Sequence, residues 1–271
     1  MSKRTESNLY TILFAIGMVI IVGAMLAFTA SSLKPTIAKN KELEIQQNML
    51  YAMGVNENED ENTVAFVSTQ EAPDLFHKYV KEQLVLDDNG NIIKEVKGDD
   101  VVKNYDQDYS SYTNYGKDVF LMDVKKEQEN AKEGKTRRLP LMVGERDGQT
   151  FYIAPIRGKG LWDAIWAYIS MDENMVIQGA YFDHKGETPG LGANIKERFF
   201  MDDFIGEHLM DSQGNFKGID VSKSNADPTN QDKTDNEVDA IAGATITGNG
   251  VSAMIKHDLK LYVPFFKNLK N

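Results

Sequence analysis

With 271 residues, 41% of them hydrophobic and 26% charged, the chain is long enough for one globular domain or two small ones around a sizeable core. Its 41 Asp and Glu against 30 Lys and Arg leave a net charge of −11, which repels phosphate backbones and argues against nucleic acid as a partner. The absence of cysteine removes disulfides, thiolate zinc sites, iron–sulfur ligation and a nucleophilic thiol, so electron chemistry must come from an organic cofactor or from His and carboxylate metal ligands.

No charged residue lies between Glu6 and Lys34, and Leu9–Leu33 would run roughly 37 Å as a helix at about 1.5 Å per residue. A signal-peptide core covers only about 7–15 residues. The pattern predicts an uncleaved transmembrane helix over 9–33, preceded by a short terminus at 1–8. Lys3 and Arg4 face Lys34, Lys39 and Lys41 across the span, so basic flanks do not fix its direction. Net charge of +2 over residues 1–34 against −13 beyond favours a cytoplasmic N-terminus.

After Pro35, Ile37, Ile45, Met49, Leu50 and Met53 form one apolar edge that stops at Gly54, predicting a stalk helix. Asn56 to Asn62 is acidic and predicts no strand. Asp87-Asp88-Asn89-Gly90, between LVL and NII, predicts a hairpin turn. Residues 99–136 are charged and predict irregular structure, with Tyr105, Tyr109, Tyr112 and Tyr115 as packing groups.

From Arg138 the pattern turns to short β-rich runs separated by turns at 146–148 and 172–174, an antiparallel meander. NIKERFFMDDF predicts a helix with Ile195, Phe199, Phe200 and Phe204 on its inner face. A hairpin is expected around Gln213-Gly214-Asn215, a surface loop over Ser222–Val238, and an amphipathic helix from about Asn249 to Leu269. The expected fold is α+β: one N-terminal transmembrane helix, then an extracytoplasmic domain of antiparallel sheet with flanking helices. Segment 34–137 supplies the stalk and the first part of that domain, and 138–271 the second.

Two glycine-rich stretches interrupt this scaffold. In Asp183–Gly192, Gly190 and Gly192 would let a flat ligand approach the main chain, Thr188 offers a hydroxyl and Leu191 an apolar lid; a plain strand-to-helix turn is the alternative. His184 and Glu187 have the i, i+3 spacing of helical metal ligands, but the glycine and proline around them disfavour a helix and hence a metal site. No nucleophile elbow or triad spacing is present.

The second stretch, Asp239–Val251, fails as a P-loop because Asn249-Gly250 stand where Lys-Ser/Thr must be. It fails as a dinucleotide fingerprint because no second strand or ribose-binding acid follows. What remains is a hydroxyl-rich turn at a helix N-terminus, either an anion site or a helix simply capped by Thr247 or Asn249.

Asp239–Thr245 resembles the flavinylation motif D-x-x-[S/T]-G-A-[T/S], and the anchor, RGKGLW at Arg157–Trp162, ETPGLG at Glu187–Gly192 and the GAT motif follow the order seen in the C subunit of the sodium-translocating NADH:quinone reductase. Ala242 departs from the motif's Ser or Thr. The resemblance implies FMN attached by a flavin transferase through a phosphoester to Thr245, with 138–271 as the FMN-binding domain. It further implies that Asp239 shapes the turn or is recognised by the transferase, while Gly243 and Ala244 give steric access and Thr247 lies close by. Thr188 and Leu191 would approach the isoalloxazine with Gly190 and Gly192, Glu187 would support the loop, and Trp162 would flank the pocket or belong to the core.

The same resemblance implies a bacterial inner-membrane protein with a periplasmic domain in a six-subunit complex, with the B, D and E subunits as principal partners. Electrons would pass from an intramembrane iron–sulfur centre through this flavin to the FMN of the B subunit, within a transfer from NADH to quinone coupled to sodium export. The G subunit of an Rnf-type ferredoxin:NAD oxidoreductase and an anchored scaffold module without flavin are the alternatives. Because the span carries no acidic residue, sodium is expected to cross through other subunits.

Overall fold

A computed structural model describes residues 8–59, 63–104, 118–223, 227 and 229–270; Lys3, Arg4 and the four tyrosines at 105–115 lie outside the described residues. The chain divides into residues 1–44 and a compact unit of residues 45–271. Helix α1 (Asn8–Ala52) is continuous through Pro35, so the span and the stalk expected separately are one element. The proline removes one backbone donor without ending the helix. Its apolar side chains over 9–33 are exposed, Val19 to 72% and Phe28 to 77%, and its length and hydropathy suffice to cross a membrane.

The last turns of α1 correct the picture of a stalk with one apolar edge, because Met49, Leu50, Ala52 and Met53 are fully buried core residues. Gly54, with φ +72°, turns the chain away, and the Arg146 guanidinium donates to the Met53 carbonyl left open by the helix end.

The domain is built on one seven-stranded antiparallel sheet. In chain order its strands are β1 (Val80–Leu86), β2 (Ile92–Lys97), β3 (Asp100–Asn104), β4 (Leu139–Arg146), β5 (Gln149–Lys159), β6 (Ala164–Met171) and β7 (Ile177–His184), arranged 3-2-1-4-5-6-7. The hairpin at 87–91 forms as expected, the Asp87 carboxylate accepting the N–H groups of Asn89 and Asn91. Arg138, where the sequence pattern changes, leads into β4, which pairs with β1. β6 is buried along almost its whole length, and β7 is buried from Gly179 to Phe182.

Segment 99–136 is more regular than its composition suggests, containing β3 and helix α3 (Val124–Lys132), which follows α2 (Ala72–Tyr79). Asp123 caps α3 by accepting from the Lys125 N–H, and Glu127 forms a buried ion pair with Arg138 at 2.7 Å. These polar anchors replace the apolar stripe that sequence periodicity detects.

The helix expected over 194–204 is split into a 3₁₀ turn, Gly192–Lys196, and the short α4 (Arg198–Asp202). The break rotates Phe199 outward, while Phe200 and Phe204 pack on Phe182 of β7. Between residues 208 and 238 the chain makes a bridge, Met210 to Phe216, and two short parallel strands, β8 (Asp220–Val221) and β9 (Glu237–Val238). Most of the predicted surface loop is otherwise without strand or helix among the described residues.

The final helix starts four residues earlier than expected, as α5 (Thr245–Asp258), continues as a 3₁₀ turn, and ends in α6 (Val263–Leu269). Gly248 and Gly250 are helical residues at which a side chain would meet Val221 and the Lys159 carbonyl, so they let α5 lie against β5 and β8. At the other end of α5, buried Asp258 accepts from Arg137 Nη1 at 2.9 Å, Gln128 Nε2 at 3.1 Å and the Arg157 N–H at 3.0 Å.

Glu207 is fully buried after α4, with the Lys233 ammonium 3.6 Å from one oxygen. Burial outweighs that cation and pushes its pKa from 4.5 up to about 7. The folded state therefore holds this proton longer than the unfolded chain does. The stability it contributes is complete below about pH 4.5 and is lost as the pH rises to about 7. Glu207→Gln is expected to remove that slope and to unfold at higher urea than the parent at pH 8, with little difference at pH 4.5; urea titrations at the two pH values check this.

Candidate functional site

The strand-to-helix loop after β7 and the turn before α5 converge, although 60 residues of chain separate their central contact. Glu187 makes that contact. Its Oε2 accepts the Thr247 hydroxyl at 2.5 Å, and its Oε1 accepts the Trp162 N–H at 2.9 Å. The side chain is only 4% exposed. Burial alone would raise its pKa, but hydrogen bonds from Thr247 and from the N–H groups of Trp162, Leu161 and Asp163 hold it below the ordinary value of 4.5. His184 Nδ1 accepts the Glu187 N–H at 3.1 Å, so the i, i+3 pair is joined through the backbone.

Two glycines make room for this carboxylate. A Cβ on Gly160 would stand 2.6 Å from Oε1 and one on Gly192 2.6 Å from Oε2. Glu187 thus ties together RGKGLW, ETPGLG and the start of α5. Gly192→Ala is expected to destabilise the domain by about 1–3 kcal/mol through overpacking, which thermal unfolding measures.

Ala244 is the N-cap of α5 and has no side chain to accept from the first turn, contrary to the expectation of Thr247 or Asn249 in that role. Thr247 is 1% exposed and spends its hydroxyl on Glu187. The first-turn N–H groups and the positive end of the helix dipole are therefore left without a protein cap, the setting that suits an external anion. Thr245, at the first helical position, is exposed.

Gly243 adopts φ +71°, a left-handed conformation that glycine takes without strain, and Leu191 Cδ2 would lie 2.8 Å from a Cβ placed there. Leu191 is 41% exposed, Ile246 57% and Trp162 66%, so Trp162 belongs to the surface and not to the core. Its Nε1–H donates to the Thr188 hydroxyl at 3.1 Å, which fixes the indole beside the loop. Gly190, with φ +75°, turns the loop after Pro189. Asp239 is half-buried at the base of the turn, its pKa raised by burial and by Asp227, and its N–H donates to the Asp203 carboxylate.

A flavin phosphate fits these residues: the uncapped helix end offers donors, Thr245 an exposed hydroxyl, and Trp162, Leu191 and Ile246 an apolar bed for a flat ring. Composition alone picks out both loops but not the buried Glu187–Thr247 bond, since nothing in either segment announces a partner so far along the chain.

Residues 160–260 match the FMN-binding domain family. The chain is 28% identical over 257 residues to the C subunit of the Na(+)-translocating NADH-quinone reductase of Pseudomonas aeruginosa, covering 92% of this chain and 90% of that one. To the C subunit of the same reductase from Pasteurella multocida it is 29% identical over 275 residues, covering 100% of this chain and 97% of that one. The crystal structure of the corresponding C subunit from Parabacteroides distasonis superposes with a TM-score of 0.65 at 32% identity, covering 86% of this chain and 96% of that one.

Proposed function

The chain belongs to the family of C subunits of the Na(+)-translocating NADH-quinone reductase, and from that premise we propose that it carries its FMN as a phosphoester on Thr245. It is an electron-carrying flavoprotein subunit of that translocase. Bound FMN supplies reversible electron uptake and release, which no side chain here offers. The carrying observation is the uncapped start of α5, where Thr245 is exposed while Thr247 is committed to Glu187.

The residues divide the work of holding the group. On attachment the Thr245 hydroxyl oxygen would bond to the flavin phosphorus as the P–O bond to the donor's leaving group breaks, the hydroxyl proton going to offset that group's charge, so the resulting diester would carry roughly one negative charge where free FMN carries nearly two. The first-turn N–H groups of α5 compensate that charge, which matters in a chain whose net charge is −11. Gly243 and Ala244 leave the hydroxyl open to a flavin transferase, and Asp239 shapes the turn it reads. Thr188, Leu191 and Trp162 border the ring, with Glu187 positioning Trp162. A tether prevents loss of the flavin to a dilute compartment even from a shallow site.

In this reading α1 anchors the chain in the bacterial inner membrane with its N-terminus in the cytoplasm and the FMN-binding domain in the periplasm. The chain stands between an intramembrane iron–sulfur centre and the FMN of the B subunit, contacts the B, D and E subunits, and leaves the sodium path to other subunits. The test is a denaturing gel of full-length protein co-expressed with its flavin transferase. A band fluorescent under ultraviolet light, with mass spectrometry locating FMN on the Thr245 peptide, is the expected result. A dark band despite active transferase would favour an anchored scaffold without flavin.

A further inference from the structure

A recess of about 640 Å3 opens between α3, β5, the start of β6 and the end of α5, with Trp162 at its border. Lys132, Arg137, Arg157, Lys159 and His257 line it, and Asp163 is the one carboxylate among its lining residues. Four cations gathered in one concavity run against a chain of net charge −11.

Among the described residues, internal pairing accounts for Arg137 alone. Asp163 is held by Lys185 at 2.9 Å. Asp258 pairs with Arg137 at 2.9 Å and is otherwise filled by Gln128 and the Arg157 N–H. Lys132, Arg157 and Lys159 make no ion pair within 4 Å among the described residues. Arg137 is 9% exposed, with its Nη1 turned to Asp258.

We propose that this recess binds a phosphate-bearing anion, held by Arg157, Lys159 and Arg137 beside the flavin loop. Guanidinium forks match phosphate oxygens in pairs, and a lysine adds a point charge. The volume is that of a small-molecule site, and its concavity suits a free phosphate compound or a lipid headgroup better than the acidic face of another protein. Trp162, tied to Thr188, is the wall common to the recess and the flavin loop.

The test is calorimetry on the full flavin-bearing chain in neutral-detergent micelles, with two probes that separate the sources: sodium pyrophosphate, and phosphatidylglycerol doped into the micelles. Saturable binding of either is expected, weakened roughly tenfold or more in the double variant Arg157→Gln, Lys159→Gln, whose folding is checked by circular dichroism. The probe that binds names the source. The proposal is overturned if neither probe binds or if the double variant binds as well as the parent. It is overturned equally if binding occurs only in Thr245→Ala protein, because the tethered flavin would then be the occupant. A dark parent band on the gel would sink the flavin reading without touching this one.

Discussion

Thr245→Ala is expected to abolish the fluorescence that survives denaturation while leaving the fold intact. Thr245 is exposed and makes no contact that the core needs, so its truncation should change stability by about 0.5 kcal/mol or less. Thr247→Ala should behave in the opposite way. Its hydroxyl is buried and donates to Glu187, so its removal should cost about 1–3 kcal/mol while the tethered flavin remains. Thr245→Ser, which restores a hydroxyl at the same position, should recover the fluorescent band. In-gel fluorescence with urea unfolding of the three variants gives both readouts; loss of flavin from Thr247→Ala alone would move the attachment site.

Glu187→Ala is expected to destabilise the domain by about 3 kcal/mol. The carboxylate accepts the Thr247 hydroxyl at 2.5 Å and the Trp162 N–H at 2.9 Å, and truncation leaves the buried Thr247 hydroxyl without its partner. Flavin loading should fall with it, because Trp162 and the start of α5 lose their common support. The pH dependence has a definite sign. A pKa held below 4.5 means that the contribution of Glu187 is complete above about pH 4.5 and declines as the pH falls through the lower folded value. Urea midpoints measured from pH 7 downward should therefore converge for parent and Glu187→Ala in acid. A constant difference across that range would contradict the role given to the ionised carboxylate.

Elements with a regular apolar period were legible in the sequence. The meander from β4 to β7, its turns at 146–148 and 172–174 and the hairpin at 87–91 follow from alternation and turn residues. The long apolar run before Lys34 likewise forms helix. Elements held by polar contacts were not legible: α3 depends on the Asp123 cap and the Glu127–Arg138 pair. The start of α5 was placed four residues late, and the role of Gly248 and Gly250 in close approach to neighbouring elements is a tertiary fact. At the site both loops could be picked out by composition, but their meeting through Glu187 is a tertiary fact, and the exposure of Trp162 could not be told from its apolar neighbours.

The crowding around one carboxylate restricts how this protein can be recombined. Gly160, Gly192, Glu187 and Thr247 come from three separated stretches, yet each is shaped to the others within one small volume. A chimera that imports one stretch from a distant homologue carrying a different residue at any of these places would inherit a mismatch that no change elsewhere on the surface relieves. Grafting all three stretches together should give a working hybrid, so they form the smallest transplantable unit of the molecule.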